Sequence, residues 1–392
     1  MEPSASRLYF DYNATAPLRP EAREAMAAAF GMVGNPSSIH AEGREARAVV
    51  EKARGQVAAL AGTSPRSLIF TSGGTEAANL ALTPTLARGR SAGCDILLVG
   101  AGEHPCVLAG HRFSAENVFE IPLNPSGRLD LEALADTLAA HPDARPMLAL
   151  QAANNETGVL QPVTEAVRQI HARGGLLMCD AVQVAGRLPM HDLAVDADAF
   201  ILSAHKLGGP KGAGALALCH EDLHILGPTM RGGGQERGQR GGTENVAAIA
   251  GFGAAADVAA KDTDLEAKRV ETLRTQLEAH LLLALPELII FGRDSPRLPN
   301  TSALAMPGLS AETLLMALDL EGLAISSGSA CSSGKVKPSH VLASMGVPES
   351  IARGALRISL GWATSTEDVE RFCGLFEKTI RNVAGRRRRS AA

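Results

Sequence analysis

The sequence has few aromatic residues: Phe, Tyr and Trp together make up 3%, with one Trp and two Tyr. Stacking platforms for single-stranded nucleic acid are therefore scarce. It also lacks net charge, at −4 over 392 residues, so no basic field covers the body. The one basic run, residues 386–389, is all arginine and reads as a solvated, frayed tail. No apolar stretch is long enough to span a bilayer. Residues 1–7 are short and polar, carry Glu2 and lack the apolar core of a signal peptide. These absences predict a cytoplasmic protein with neither a nucleic-acid nor a membrane partner. Six cysteines are present, at 94, 106, 179, 219, 331 and 373, with no Cys-x-x-Cys pair. That argues against a disulfide framework and against a stable metal site. Most of these thiols should be small buried hydrophobes.

What is abundant is apolar: 45% of residues are hydrophobic, enough for a large core and two domains. Helical patterns cover 20–30 and 38–61, the second closed by Gly62. Apolar runs at 68–71, 96–100, 118–122, 147–152, 176–179, 199–203 and 213–218 read as seven strands. Helical patterns at 75–88, 131–140 and 163–173 lie between several of them. Such alternation predicts a mostly parallel sheet covered by helices on both faces. Residues 232–242 shift to Gly, Gln and Arg and read as a loop. A helical pattern then runs over 244–284, with a break predicted near 261–264. Beyond Pro286 the pattern is α+β: a strand near 302–306, a helix at 311–320, a loop at 326–337, a strand at 356–360 and a helix from 367. The expected organisation is a large α/β domain over 16–262, and a smaller α+β domain from 1–15 with 263–392.

Within this frame, Lys206 follows an apolar strand in Ser203-Ala-His205-Lys206. Burial lowers a lysine's pKa and exposes the neutral amine that Schiff-base chemistry needs. The competing reading is a surface lysine in a turn. Asp180 ends another buried run, where a carboxylate can keep a pyridine nitrogen protonated, or can cap a turn. Gln183, three residues on, can donate to a ring oxygen. Thr71-Ser-Gly-Gly74-Thr75 joins a strand to a helix, so glycine backbone and free helix N–H groups can receive an anion. Ser203 and His205 could complete that shell. His104 follows a strand end and a glycine, where a ring can stack on a cofactor and move protons, or be structural. Cys331 lies in Ser326-Ser-Gly-Ser-Ala-Cys331-Ser-Ser-Gly334. Small residues around one cysteine predict an accessible loop thiol, reactive or incidental. Arg357, in a strand, needs an acidic partner: a bidentate substrate carboxylate or a structural ion pair.

Together these pieces resemble the class V aminotransferase family of fold-type I pyridoxal-phosphate enzymes, and within it the cysteine desulfurase branch. The resemblance runs from Tyr9-Phe-Asp-Tyr-Asn-Ala-Thr-Ala-Pro17 through Gly34-Asn-Pro-Ser-Ser-Ile-His40, Asn154-Asn-Glu-Thr-Gly158 and Arg240-Gly-Gly-Thr243 to Arg357-Ile-Ser-Leu-Gly361. It implies that Lys206 carries pyridoxal 5'-phosphate as a Schiff base and that His104 stacks on the ring. Asp180 pairs with the ring nitrogen and Gln183 with the phenolate oxygen. Gly74, Thr75, Ser203 and His205 hold the phosphate. Thr243 reaches the phosphate of a second subunit, which implies a homodimer. Asn155, beside the cofactor, and Arg357 receive the substrate carboxylate.

The implied activity removes sulfur from L-cysteine, leaving L-alanine and a persulfide on Cys331. The segment after Cys331 is similar to the mobile loop of the NifS/IscS-like subgroup. That likeness implies delivery of sulfur to an acceptor or iron–sulfur scaffold protein, and Cys331 is the candidate ligand for a transient cluster. Selenocysteine lyase or cysteine sulfinate desulfinase is the alternative activity. Gly241 stands where the family often carries a bulkier residue, which predicts a looser 232–243 loop.

Overall fold

The computed structural model describes residues 7–90, 93–190, 196–227, 229–328 and 339–390. Strands β1 (Leu8–Tyr9), β2 (Leu68–Thr71), β3 (Leu86–Arg88), β4 (Ile96–Gly100), β5 (Val118–Ile121), β6 (Pro146–Gln151), β7 (Leu176–Asp180), β8 (Ala199–Ser203), β9 (Gly214–Leu218) and β10 (Leu223–Ile225) are followed by a second group. That group is β11 (Ile289–Phe291), β12 (Thr301–Ala305), β13 (Leu323–Ala324), β14 (Ser326–Ser327) and β15 (Ala355–Ser359).

The seven runs expected to be strands form one seven-stranded sheet, in the order β2-β9-β8-β7-β6-β4-β5. Only β9 runs against the others. Alternate residues serve opposite faces. Leu148, Leu150, Leu177 and Cys179 pack into one core, while Met147, Ala149, Leu176 and Met178 pack into the other. Helices cover both faces, so side chains of either parity are buried, which is why these strands read as unbroken apolar runs.

A second core surrounds the antiparallel sheet β11-β12-β15-β14. It includes Leu8 and Phe10 from the N-terminal segment, where β1 pairs with β13.

The long helix Val246–Ala284 joins the two cores. Ala248 to Ala259 pack against the large sheet, and Val270 to Leu281 pack into the second core. The predicted break at 261–264 is absent, since the helix is continuous over 39 residues. The charged stretch there contains no Pro or Gly. Lys261 pairs with Asp257 one turn back at 2.7 Å, and Thr263 donates to the Ala259 carbonyl.

A second correction concerns 75–88. The helix spans only Gly74–Ala81 and gives way to β3, which pairs with β10. Pro84 stops it, because proline excludes helical geometry at the residue before it. Two smaller differences fall in the C-terminal third. The expected loop at 326–337 opens as β14, and the backbone expected to fray at 386–389 is helical, in Thr366–Ser390.

The Gly-rich stretch 232–243 is pinned rather than loose. Glu236 makes a bidentate pair with Arg54 at 2.7 and 2.8 Å and accepts from the Phe70 N–H. Glu236 and Arg237 both hold left-handed backbone, at φ 45° and 55°, which non-glycine residues adopt only under constraint. Gly241 corrects the expectation of looseness. A Cβ there would lie 2.6 Å from the Gly232 nitrogen, so glycine permits close backbone packing. Glu236→Gln would take from the buried Arg54 cation its buried carboxylate partner and leave it only the exposed Glu51 at 3.1 Å. We expect a loss of about 3–5 kcal/mol, seen as a lower urea midpoint at unchanged slope; an unchanged midpoint would refute this account of the loop.

Candidate active site

β2, β4, β6, β7 and β8 run in one direction, so their C-terminal ends meet at one edge of the sheet. A crevice outside that edge is where open α/β sheets bind ligands. Here it is a cavity of about 630 Å³ between the sheet edge and Arg357 of β15. Each strand delivers its contribution at its C-terminal end or in the turn that follows. β2 leads to Gly74 and Thr75, β4 to His104, and β6 to Asn155. Asp180 closes β7 and is followed by Gln183. Ser203 closes β8, and His205 and Lys206 follow on a single 3₁₀ turn. All nine of these residues and Arg357 line the cavity.

Lys206 is half-buried. Its Nζ donates to the carbonyls of Asn13 at 2.6 Å and Ala14 at 2.9 Å. Lys211 lines the same cavity but is exposed.

Asp180 is buried, and its Oδ1 accepts from the Val182 N–H at 2.9 Å. Burial raises its carboxyl from 3.8 to about 6, against the opposing pull of that N–H and of Lys206. His104 accepts from the Cys106 N–H through Nδ1, which assigns its proton to Nε2. Burial, then Lys206 and His340, lower its pKa to about 4, so the ring is neutral near pH 7. Burial and the nearby cations Lys206, Lys211 and Arg187 do the same to His205.

The raised carboxyl of Asp180 sets a pH dependence in the cofactor-free protein. An acid with a raised folded-state pKa adds stability below its unfolded value and loses it as pH rises through the folded value. The window here is about pH 4 to 6. Asp180→Asn has no such loss. Its stability relative to the parent should therefore be higher at pH 8 than at pH 4, by up to about 3 kcal/mol. Urea midpoints at the two pH values test this, and a difference independent of pH would refute it.

Arg357 is buried. It pairs with Asp11 at 2.8 Å through Nη2 and donates to the Asn155 carbonyl at 2.9 Å through Nη1. The ion pair considered from the sequence thus exists within the cavity wall. The Arg357 Nε and the His205 Nδ1 are buried without a hydrogen-bond partner among the described residues. Buried polar atoms of this kind call for a ligand.

At the other end of the cavity, Gly73 caps the helix Gly74–Ala81 with no side-chain bond. A Cβ at Gly74 would press on Val182 and Ser203, at 3.2 and 3.4 Å. Glycine there keeps the cradle open to an anion.

One expected residue is not brought to this cavity. Thr243 is exposed and lines a neighbouring pocket with Ser72 and Gly212. Cys331 lies outside the described residues. Among the described residues no cluster has the makings of a metal site, and no helix is long and apolar enough to cross a membrane.

Several residues that matter here escaped the sequence reading. Asn13 is 1% exposed and links Lys206, Gln183 and Asn155 to Asn300, Thr301 and Ser359 across the two cores. Asn13 and Asp11 sit inside the Tyr9–Pro17 motif, which was their only signal. Arg187 follows Gln183 by four residues, a spacing without chemical meaning until the turn is seen. Glu156 accepts from the Ser339 hydroxyl, and the Glu103 carbonyl accepts from His340 Nε2 at 3.0 Å.

The model of the family described as aminotransferase class-V matches residues 8–372. The chain belongs to that family. A cysteine desulfurase of Frankia sp. (strain EuIK1) is 41% identical to it, over 96% of this chain and 92% of the relative. The cysteine desulfurase NifS of Azotobacter vinelandii is 38% identical, over 93% and 90%. Among solved structures, a NifS-like protein from Rickettsia africae ESF-5 superposes with a TM-score of 0.85 at 32% identity, covering 96% of this chain and 99% of that one. These relatives bear out the resemblance to the desulfurase branch and the fold expected from it.

Proposed function

We propose that this class V family member is a cysteine desulfurase, with pyridoxal phosphate held in the 630 Å³ cavity. The observation that carries the reading is convergence: five strand ends bring a lysine, a buried carboxylate, a neutral histidine and an open anion cradle to one crevice. The residues fit that cofactor. Gly74, Thr75, Ser203 and the unpartnered Nδ1 of His205 would hold its phosphate. Asp180 would hold its ring nitrogen, Gln183 its ring oxygen, and Lys206 its aldehyde carbon. Bound there, it supplies an electron sink for the substrate's α-carbon.

The chain's own groups do the rest. Arg357, held by Asp11 and Asn155, binds the L-cysteine carboxylate. Lys206, once displaced, moves the α-proton, and the neutral His104 exchanges a proton through Nε2. Cys331 attacks the substrate sulfur, so that L-cysteine and the thiol become L-alanine and a Cys331 persulfide. The assignment gives 16–262 to cofactor binding, and 1–15 with 263–392 to the substrate arginine and the Cys331 loop. Thr243, exposed and away from its own chain's cavity, supports a homodimer in which it serves the neighbour's phosphate site. The persulfide sulfur then passes to an acceptor such as an iron–sulfur scaffold, in the cytoplasm.

The test is to add pyridoxal phosphate to purified protein, record the visible spectrum, and measure alanine from L-cysteine with a thiol reductant. A visible band with alanine formation is expected; a protein that stays colourless would overturn the assignment.

A further inference from the structure

We propose that Arg187 is a positioning residue that locks the Gln183 side-chain amide with its NH2 group toward the cofactor cavity. The inference rests on the reading of that cavity as a pyridoxal-phosphate site.

The two ends of a glutamine amide have nearly the same shape, so packing cannot choose between them; only hydrogen-bond partners can. Arg187 Nη1 reaches Gln183 Oε1 at 2.5 Å, and a guanidinium only donates. On the other side, Gln183 Nε2 donates to the Asn13 carbonyl at 3.2 Å. An NH2 group carries two hydrogens, so one is left for the cavity that Gln183 lines. The flipped amide would set its NH2 against the guanidinium and its oxygen against the Asn13 carbonyl. The Asn13 carbonyl and Arg187 therefore oppose the flip together, and Arg187 is the partner that binds the oxygen end, at the shorter distance.

Arg187 also holds the surrounding backbone. Nη1 takes Asn13 Oδ1 and the Gln183 carbonyl, at 3.0 and 3.1 Å, and Nη2 takes the carbonyls of Tyr12 and Lys206, at 3.1 and 3.3 Å. Every one of these acceptors is uncharged. Burial, and then Arg357, push its pKa down to about 9. A cation enclosed by neutral acceptors is costly to keep, and a donor-only group beside Gln183 gives it a purpose.

The readout is the apparent pKa of the visible band in the loaded protein. A donor to the ring oxygen favours the less protonated chromophore, so losing that donor raises the apparent pKa. Gln183→Ala should raise it by about one unit. Arg187→Met and Arg187→Leu should each raise it comparably, and neither should add to the shift when combined with Gln183→Ala. Arg187→Lys, still a donor-only cation, should stay close to the parent. Two neutral variants guard against one failing to fold. Additive shifts in the double variants, or parental values in both neutral variants, would overturn the proposal. A parent protein with no visible band would instead overturn the assignment of the cavity.

Discussion

Cys331→Ser is expected to cut alanine formation from L-cysteine by roughly 10³-fold or more, while the visible band of the loaded enzyme persists. The step needs a thiolate to attack sulfur, and a serine hydroxyl does not ionise near neutral pH. The described cysteines offer no replacement. Cys94, Cys179 and Cys373 are buried. Cys106 lines the cavity, but burial, reinforced by Asp180 and Glu103, pushes its thiol up to about 12. Cys219 is pushed up to about 12 by burial and by Asp198. Alanine assayed alongside the spectrum separates the outcomes. Full alanine formation by a yellow Cys331→Ser protein would move the assignment to selenocysteine lyase or cysteine sulfinate desulfinase.

Lys206→Ala is expected to abolish turnover, by at least about 10³–10⁴-fold, since in the proposed mechanism it removes both the covalent anchor and the base. Borohydride reduction of the loaded parent should fix the cofactor to the peptide containing Lys206, and the variant should take no label. Lys211 makes this a discriminating test, because it lines the same cavity from an exposed position. Label on Lys211 in the parent would refute the assignment of Lys206. Folding should survive, since the Asn13 and Ala14 carbonyls that hold Lys206 Nζ line a cavity large enough to admit water.

The seven strands were legible because each is buried on both faces, so each appears as an apolar run without alternation. The cavity residues were legible for a related reason. Polar side chains directly after such runs, at Asp180, Ser203 and Lys206, have no place in a core and mark strand ends. The 261–264 break differs from the structure because local polarity imitates a loop, and the 75–88 helix because its pattern runs on past Pro84 into β3. A helix continues through charged residues when neighbouring turns pair them, and stops at a proline whatever its pattern.

By itself the sequence determined the parallel sheet, the second α+β unit and the motif residues that converge on the cavity, because strand burial and strand ends are local properties of the chain. Tertiary structure alone decided the rest. Asn13 meets Lys206 across 193 positions, and Arg357 meets Asp11 across 346. Arg187 orients Gln183 only once the turn brings a donor to its oxygen. Hydrogen bonds depend on where atoms meet in space, and no spacing in the sequence specifies which distant donor a buried acceptor will find.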